Sequence, residues 1–156
     1  MDELAPPTTA ERAESRSILT DWLSGLVEGN PAVAAVVEDD GTDVERWFVR
    51  VTGEAKDVYS VWFTLGQRTL RYETYVMPAP EENHAAFYEL LLRRNLGLRD
   101  LAYAIGDEDA VFLRGQHDLR SLTAEVLDRV LGSVYAAIEQ GFQPSIRIGF
   151  ASRFES

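Results

Sequence analysis

The chain contains no cysteine. That one absence excludes disulfides, thiolate-bound zinc and cysteine nucleophiles together. Histidine is nearly as scarce: His84 and His117 are too few for a histidine-built metal centre. Of the 15 basic residues only Lys56 is lysine, a bias that a GC-rich coding sequence explains without any functional cause. No apolar run approaches the ~20 residues that a membrane helix needs. Met1-Asp2-Glu3-Leu4 has neither a basic n-region nor an apolar stretch, so it does not read as a secretory signal. A cytoplasmic chain is expected. Neither GxxxxGK nor GxGxxG occurs, so nucleotide binding by those phosphate cradles has no support. The GxSxG nucleophile elbow is missing as well. Positive charge is the scarcer sign, with 26 acids against 15 bases and a net charge of −11. Such a balance disfavours non-specific binding to nucleic acid or to an anionic membrane.

What remains is 156 residues with 46% hydrophobic content, enough for one domain with its own core and no staple. Residues 1–8, with Pro6 and Pro7, read as a flexible N-terminus, and 9–156 as a single domain. The charge is uneven. Residues 1–45 hold 11 acids and two bases, Arg12 and Arg16, a net of −9. Solubility explains this, and so would an acidic surface for a basic partner.

Thr8 and Glu11 have capping-box spacing. Ile18, Leu19, Trp22, Leu23, Leu26 and Val27 then recur at helical steps, which predicts a helix over about 10–28. Gly29-Asn30-Pro31 stops it, with glycine expected in a left-handed cap. Ala32–Glu38 fits either a short strand or a further helical turn. Asp39-Asp40-Gly41-Thr42-Asp43 is a turn cluster without the twelve-residue calcium-loop pattern.

Three strands follow at Val44–Val51, Val58–Leu65 and Thr69–Met77. Alternation places Trp47, Val49, Val51, Tyr59, Val61, Phe63, Leu65, Leu70, Tyr72, Thr74 and Val76 on one face. The opposite, mixed face receives Arg46, Phe48, Arg50, Ser60, Trp62, Thr64, Arg71, Glu73, Tyr75 and Met77. Short links make this an antiparallel meander. Pro78-Ala79-Pro80 ends it. Glu81 and Glu82 open a helix that carries Phe87, Tyr88, Leu90 and Leu91 inward and closes at Asn95 and Gly97. Strands near 101–105 and 110–114 flank an Asp107-Glu108-Asp109 turn. A last helix spans about 124–140, capped by Thr123 and Gly141. Ile146, Ile148 and Phe150 then read as an arm at period two, over 145–154. Strands segregated from helices, in the order α-βββ-α-ββ-α, give an α+β fold with an antiparallel sheet packed against helices.

Chemistry-bearing residues do not assemble into a catalytic pattern. His84 falls at a helix start and His117 in a polar loop, both expected at the surface. The carboxylate pairs at Glu81/Glu82 and 107–109 fall in caps and turns, where solvation is expected. Acid–base work needs one carboxylate in an apolar pocket. The mixed sheet face stands apart. Phe48, Trp62, Tyr75, Met77 and Phe112 alternate there with Arg46, Arg50, Arg71, Glu73 and Arg114. Rings with arginine are the favoured composition of protein interfaces. A helix layer or the 145–154 arm would cover that face within one subunit. Otherwise it serves self-association or another protein.

Gly66-Gln67-Arg68-Thr69-Leu70-Arg71-Tyr72-Glu73-Thr74-Tyr75-Val76-Met77-Pro78-Ala79-Pro80-Glu81-Glu82-Asn83 resembles the YbjN-domain family in its actinobacterial form. The family is also labelled as bacterial sensory transduction regulators. Trp47-Phe48-Val49-Arg50, Leu91-Leu92-Arg93-Arg94-Asn95, Ala104–Ala110 and Leu127–Ser133 are further similar stretches, together covering about 45–150. The resemblance implies a fold like type III secretion chaperones, which are small acidic homodimers that hold extended client segments. It implies no catalytic residues. Fold alone does not fix function.

These readings lead to a non-enzymatic, dimeric, protein-binding or regulatory domain without cofactor or metal. Phe48, Arg50, Trp62, Arg71, Glu73, Tyr75 and Met77 are its contact residues. Apolar docking on the face, or strand addition at a sheet edge, is the expected mechanism. The alternative is a small-molecule sensor, in which the sheet and the 68–84 region enclose a metabolite pocket with Arg68, Arg71 and Glu73 as its polar groups.

Overall fold

Thr8 and Glu11 do close a reciprocal capping box. The Thr8 hydroxyl oxygen accepts the Glu11 N–H at 3.1 Å, and the Glu11 carboxylate accepts the Thr8 N–H at 2.9 Å. Behind that cap, helix α1 runs Thr9–Gly29. A computed structural model describes residues 5–41 and 43–154 of the chain. The expected flexible 1–8 segment lies partly outside these residues. Within them, the Pro6 carbonyl accepts from Arg120 at 3.2 Å. Helix α1 ends without a left-handed glycine. Asn30 is extended, its N–H bonds the Leu26 carbonyl, and its side chain accepts from the Ala32 N–H.

That bond turns the chain into a strand, β1 (Val33–Glu38), and settles the open reading of 32–38. Strands β2 (Glu45–Thr52), β3 (Val58–Leu65) and β4 (Thr69–Met77) follow as the expected meander. Helix α2 (His84–Asn95) precedes β5 (Ala102–Ile105) and β6 (Val111–Asp118). The six strands form one antiparallel sheet in the order β1-β2-β3-β4-β6-β5. The fold is therefore α+β with the expected element order, plus one edge strand. His117 lies on β6, not in a loop, because β6 continues four residues past the expected end.

Helix α3 (Ala124–Gly149) differs most from expectation. Gly141 does not cap it, and 145–154 is not an extended arm. The helix passes through Pro144 and ends nine residues later than the sequence suggested. Gly141 is a close-approach position: a Cβ there would collide with the Tyr103 hydroxyl. Gly149 admits the Phe87 ring in the same way. The Ser145 hydroxyl donates to the Gly141 carbonyl at 2.6 Å, and Ile146 and Ile148 pack on the core. Residues that read as stop signals are thus packing positions.

The core lies between the helices and one sheet face. Leu19, Leu23 and Leu26 of α1, Phe87 and Leu91 of α2, and Leu127, Val130, Leu131, Val134 and Ile138 of α3 join Trp47, Val49, Val61, Phe63, Leu70 and Tyr72 in one cluster. Trp22 stands at its edge, edge-on to Phe63 at 5.6 Å, with its N–H donated to Asp128 at 2.8 Å.

Candidate functional site

Because strands alternate, the face that does not meet the helices is built from the remaining residues. Pairing places them in rows. Val37, Phe48, Trp62, Glu73, Arg114 and Ala102 are successive cross-strand partners from one sheet edge to the other. On one side run Arg46, Thr64, Arg71 and Gln116. On the other run Ala35, Arg50 and Ser60, then Tyr75, Phe112 and Ala104. Phe48, Arg50, Trp62, Arg71, Glu73 and Tyr75 are therefore brought together as expected, and all six have solvent-accessible side chains.

Met77 is the exception: it does not lie on the outer face. It is 1% exposed and belongs to the core. The β4–β6 pairing slips between Tyr75 and Met77, so Val76 and Met77 both point inward. Such a bulge puts two residues against one and reverses the alternation beyond it. Phe112 occupies the outer position instead, edge-on to Tyr75 at 5.7 Å.

The rings are arranged in two groups. Phe48 and Trp62 pack at 4.8 Å, with the Arg46 guanidinium 4.7 Å above Trp62 and that of Arg50 5.9 Å from Phe48. Arg46 is steadied by an Nε bond to Asp39 at 2.6 Å, which holds the Asp39 carboxyl below its ordinary range. The second group is Tyr75 with Phe112, joined by Lys56. The Lys56 ammonium lies 5.2 Å from the Tyr75 ring and 5.5 Å from that of Phe142. It donates to the carbonyls of Tyr75 and Val76 at 3.2 and 2.7 Å. Burial pulls its pKa down to about 8. Its one signal in the sequence was being the chain's single lysine.

The 53–57 turn that presents Lys56 is fixed from α3. The Glu139 carboxylate accepts the N–H groups of Glu54 and Ala55 at 3.0–3.2 Å, and Gln143 donates to the Ala55 carbonyl at 3.0 Å. Two hollows open on this surface. One, of about 370 Å³, lies between Lys56, Tyr75, Phe112 and Trp62. The other, of about 350 Å³, is bordered by Arg46, Arg71, Arg114, Glu73, Thr64 and Trp62. Residues 78–84 border neither hollow. That segment is drawn to the far end of α3, where the N–H groups of Glu81 and Glu82 bond the Gly149 carbonyl and Glu81 pairs with Arg153 at 2.7 Å.

Titratable groups elsewhere are structural. Glu45 lies between Arg16 and Arg12, and Arg16 in particular holds its carboxyl down. Burial raises the hydroxyls of Tyr59 and Tyr103, and takes Tyr72 up to about 12. The Ser121 hydroxyl and His117 Nε2 are 3.0 Å apart. Both are near the surface, and no described carboxylate bonds the second ring nitrogen to orient it, which nucleophile activation needs. Among the described residues, no group of acidic or imidazole side chains has metal-holding geometry. No described helix is long and apolar enough to cross a membrane.

Comparison with known proteins adds the following. The model of a family named YbjN, described as "Putative bacterial sensory transduction regulator", matches residues 18–146. An uncharacterised protein of Mycobacterium leprae is 31% identical over 110 residues, covering 70% of this chain and 60% of that protein. Uncharacterised proteins of Mycobacterium bovis and Mycobacterium tuberculosis are each 33% identical over 107 residues, covering 69% of this chain and 58% of theirs. The chain thus spans about three fifths of the length of the curated relatives it matches.

Proposed function

Since the chain belongs to the YbjN family, we propose that it is a cytoplasmic, non-catalytic regulatory domain that works by receiving another polypeptide on the outer face of its sheet. One observation carries this reading: Phe48, Trp62, Tyr75 and Phe112 form a ringed surface across four strands that no described helix covers. Tyr75 remains 45% exposed. Apolar patches of this kind on a folded domain mark interaction sites, and aromatic anchors carry most interface energy. The non-catalytic reading is supported by the titratable groups. The lowered carboxylates Glu11, Asp39, Glu45 and Glu81 are held by backbone N–H or arginine donors, the raised hydroxyls belong to tyrosines shifted first by desolvation, and Lys56, lowered by burial, is committed to two main-chain carbonyls.

The homodimer expected from the chaperone-like fold is part of the proposal. Two copies pairing along β5 and α2, where Leu92, Leu96 and Ile105 are 68%, 90% and 57% exposed, would leave the outer face free. Light scattering of the purified chain tests it, and a monomer mass removes that part alone.

Quantitative co-purification from the native host tests the docking face. Wild type, Trp62→Ala and the control Val27→Ala, an exposed α1 position outside both proposed surfaces, are compared at equal helix content. The expected result is a set of proteins held by wild type and by Val27→Ala and lost with Trp62→Ala. An identical set for all three would remove the docking face. Unfolding of Trp62→Ala would place Trp62 in the core.

A further inference from the structure

We infer that the hollow between Arg46, Arg71 and Arg114 binds carboxylate side chains of an acidic segment in a partner protein. This rests on the protein-docking reading of the outer face and names the chemistry of the partner. Three guanidinium groups reach the hollow from three different strands, β2, β4 and β6. Arg71 and Arg114 have no hydrogen bond or ion pair among the described residues. Arg46 is bonded through Nε alone, to Asp39, so its two terminal nitrogens remain as donors. Glu73 borders the same hollow and is the cross-strand partner of Arg114, yet among the described residues it forms no salt bridge with Arg46, Arg71 or Arg114. Two further acids stand beside it: Asp39, bonded to Arg46, and Asp107, at the rim of an adjoining hollow of about 190 Å³.

Like charges gathered on one sheet face repel. The three central rows carry Arg46, Arg50, Arg71 and Arg114 against Glu73 as their single carboxylate, and Asp39, beside the rows, offsets Arg46 alone, on a chain whose net charge is −11. An incoming carboxylate relieves that repulsion, and the planar guanidinium fork accepts it bidentately. The acidity of the remaining surface repels the same segment everywhere else, so the local positive centre selects where it lands. Trp62, with Phe48 behind it, supplies the apolar floor for the residues beside that carboxylate.

The test uses the full chain and fluorescence anisotropy. The probe is a dye-labelled synthetic peptide of glutamate and glycine with one phenylalanine. Its glutamine analogue and free glutarate are the comparison ligands. The glutamate peptide should bind, the glutamine peptide about tenfold more weakly, and glutarate far more weakly. Arg71→Glu and Arg114→Glu should each lower affinity for the glutamate peptide about tenfold, with Arg71→Lys in between. Raising the salt to about 1 M should weaken it further, because screening then acts over about 3 Å. Both arginines are exposed, and circular dichroism with melting curves checks that the variants stay folded. If both peptides bind alike and Trp62→Ala weakens both, the face docks polypeptide through its rings alone, and the carboxylate inference falls while the proposed function stands. If Arg71→Glu removes the glutamate peptide and Trp62→Ala changes nothing, the anion site stands and aromatic docking falls. Glutarate binding as tightly as the peptide makes the hollow a site for a free small anion and overturns the choice of a protein segment. Failure of the glutamate peptide to bind overturns the inference outright.

Discussion

The two faces of this sheet carry comparable ring content and opposite surroundings. The inner face sets Trp47, Tyr59, Phe63 and Tyr72 among Val49, Val51, Val61, Leu65 and Leu70, all under 9% exposed. The outer face sets Phe48, Trp62, Tyr75 and Phe112 among Arg46, Arg50, Arg71, Arg114, Ser60 and Thr64. Rings alone therefore do not tell a buried face from an open one. Their neighbours do: aliphatic companions bring helices down onto a face, whereas guanidinium groups and hydroxyls keep it hydrated and reusable. The same strand register serves both, since each residue that buries one side chain hands the next to solvent.

The largest expected contrast is between a ring on each face. Phe63→Ala should cost about 3–5 kcal/mol in urea unfolding, because Phe63 is fully buried between Trp22 and Tyr72. Trp62→Ala, one position away, should cost about 1 kcal/mol, the scale of an aromatic pair, and should show its main effect in partner binding. Equal losses for the two would erase the distinction between the faces.

Next in size is Gly149→Ala. Its new methyl group would press on the Phe87 ring and on Pro80, so a loss of about 1–3 kcal/mol is expected in the same assay. An unchanged midpoint would mean that the end of α3 does not seal the inner face as described. On the acid side, the Glu45 carboxyl is held down by Arg16 and Arg12. Its contribution is present above the ordinary value of 4.5 and lost as pH falls through the lowered folded value. Glu45→Gln should therefore flatten the fall in melting temperature below about pH 4.5. A fall as steep as wild type would show that this triad adds nothing.

The smallest effect expected is at Lys56. The unfolded chain keeps that proton up to the ordinary 10.5, whereas the folded chain releases it near 8. Unfolding between those values takes up a proton, so stability should rise as pH climbs from about 8 toward 10. The buried tyrosines, with raised values, act in the opposite sense only above their ordinary value of 10.0. Differential scanning calorimetry of wild type and Lys56→Met checks this, and only the wild type should show the rise.

Much of this was legible because period-two alternation is read directly from residues such as Tyr59, Val61, Phe63 and Leu65, and the short links left the meander little choice of topology. The 18–146 family match agrees with that reading. Three features were hidden, each for a physical reason. Met77 turned inward because a bulge depends on how two strands pair, which neither strand encodes alone. Helix α3 outran Gly141 and Pro144 because tertiary contacts with Tyr103 and Phe87 outweighed local stop signals. Lys56 gained its surroundings from Glu139 and Gln143, more than 80 residues along the chain.

The scarcity of lysine has a practical corollary. Lys56 is the chain's only side-chain amine, and it stands at a corner of the ringed surface beside Tyr75. An amine-directed crosslinker can couple only there or at the α-amino group. Whatever polypeptide is trapped through Lys56 reports its own seat on the molecule, with no engineered tag required.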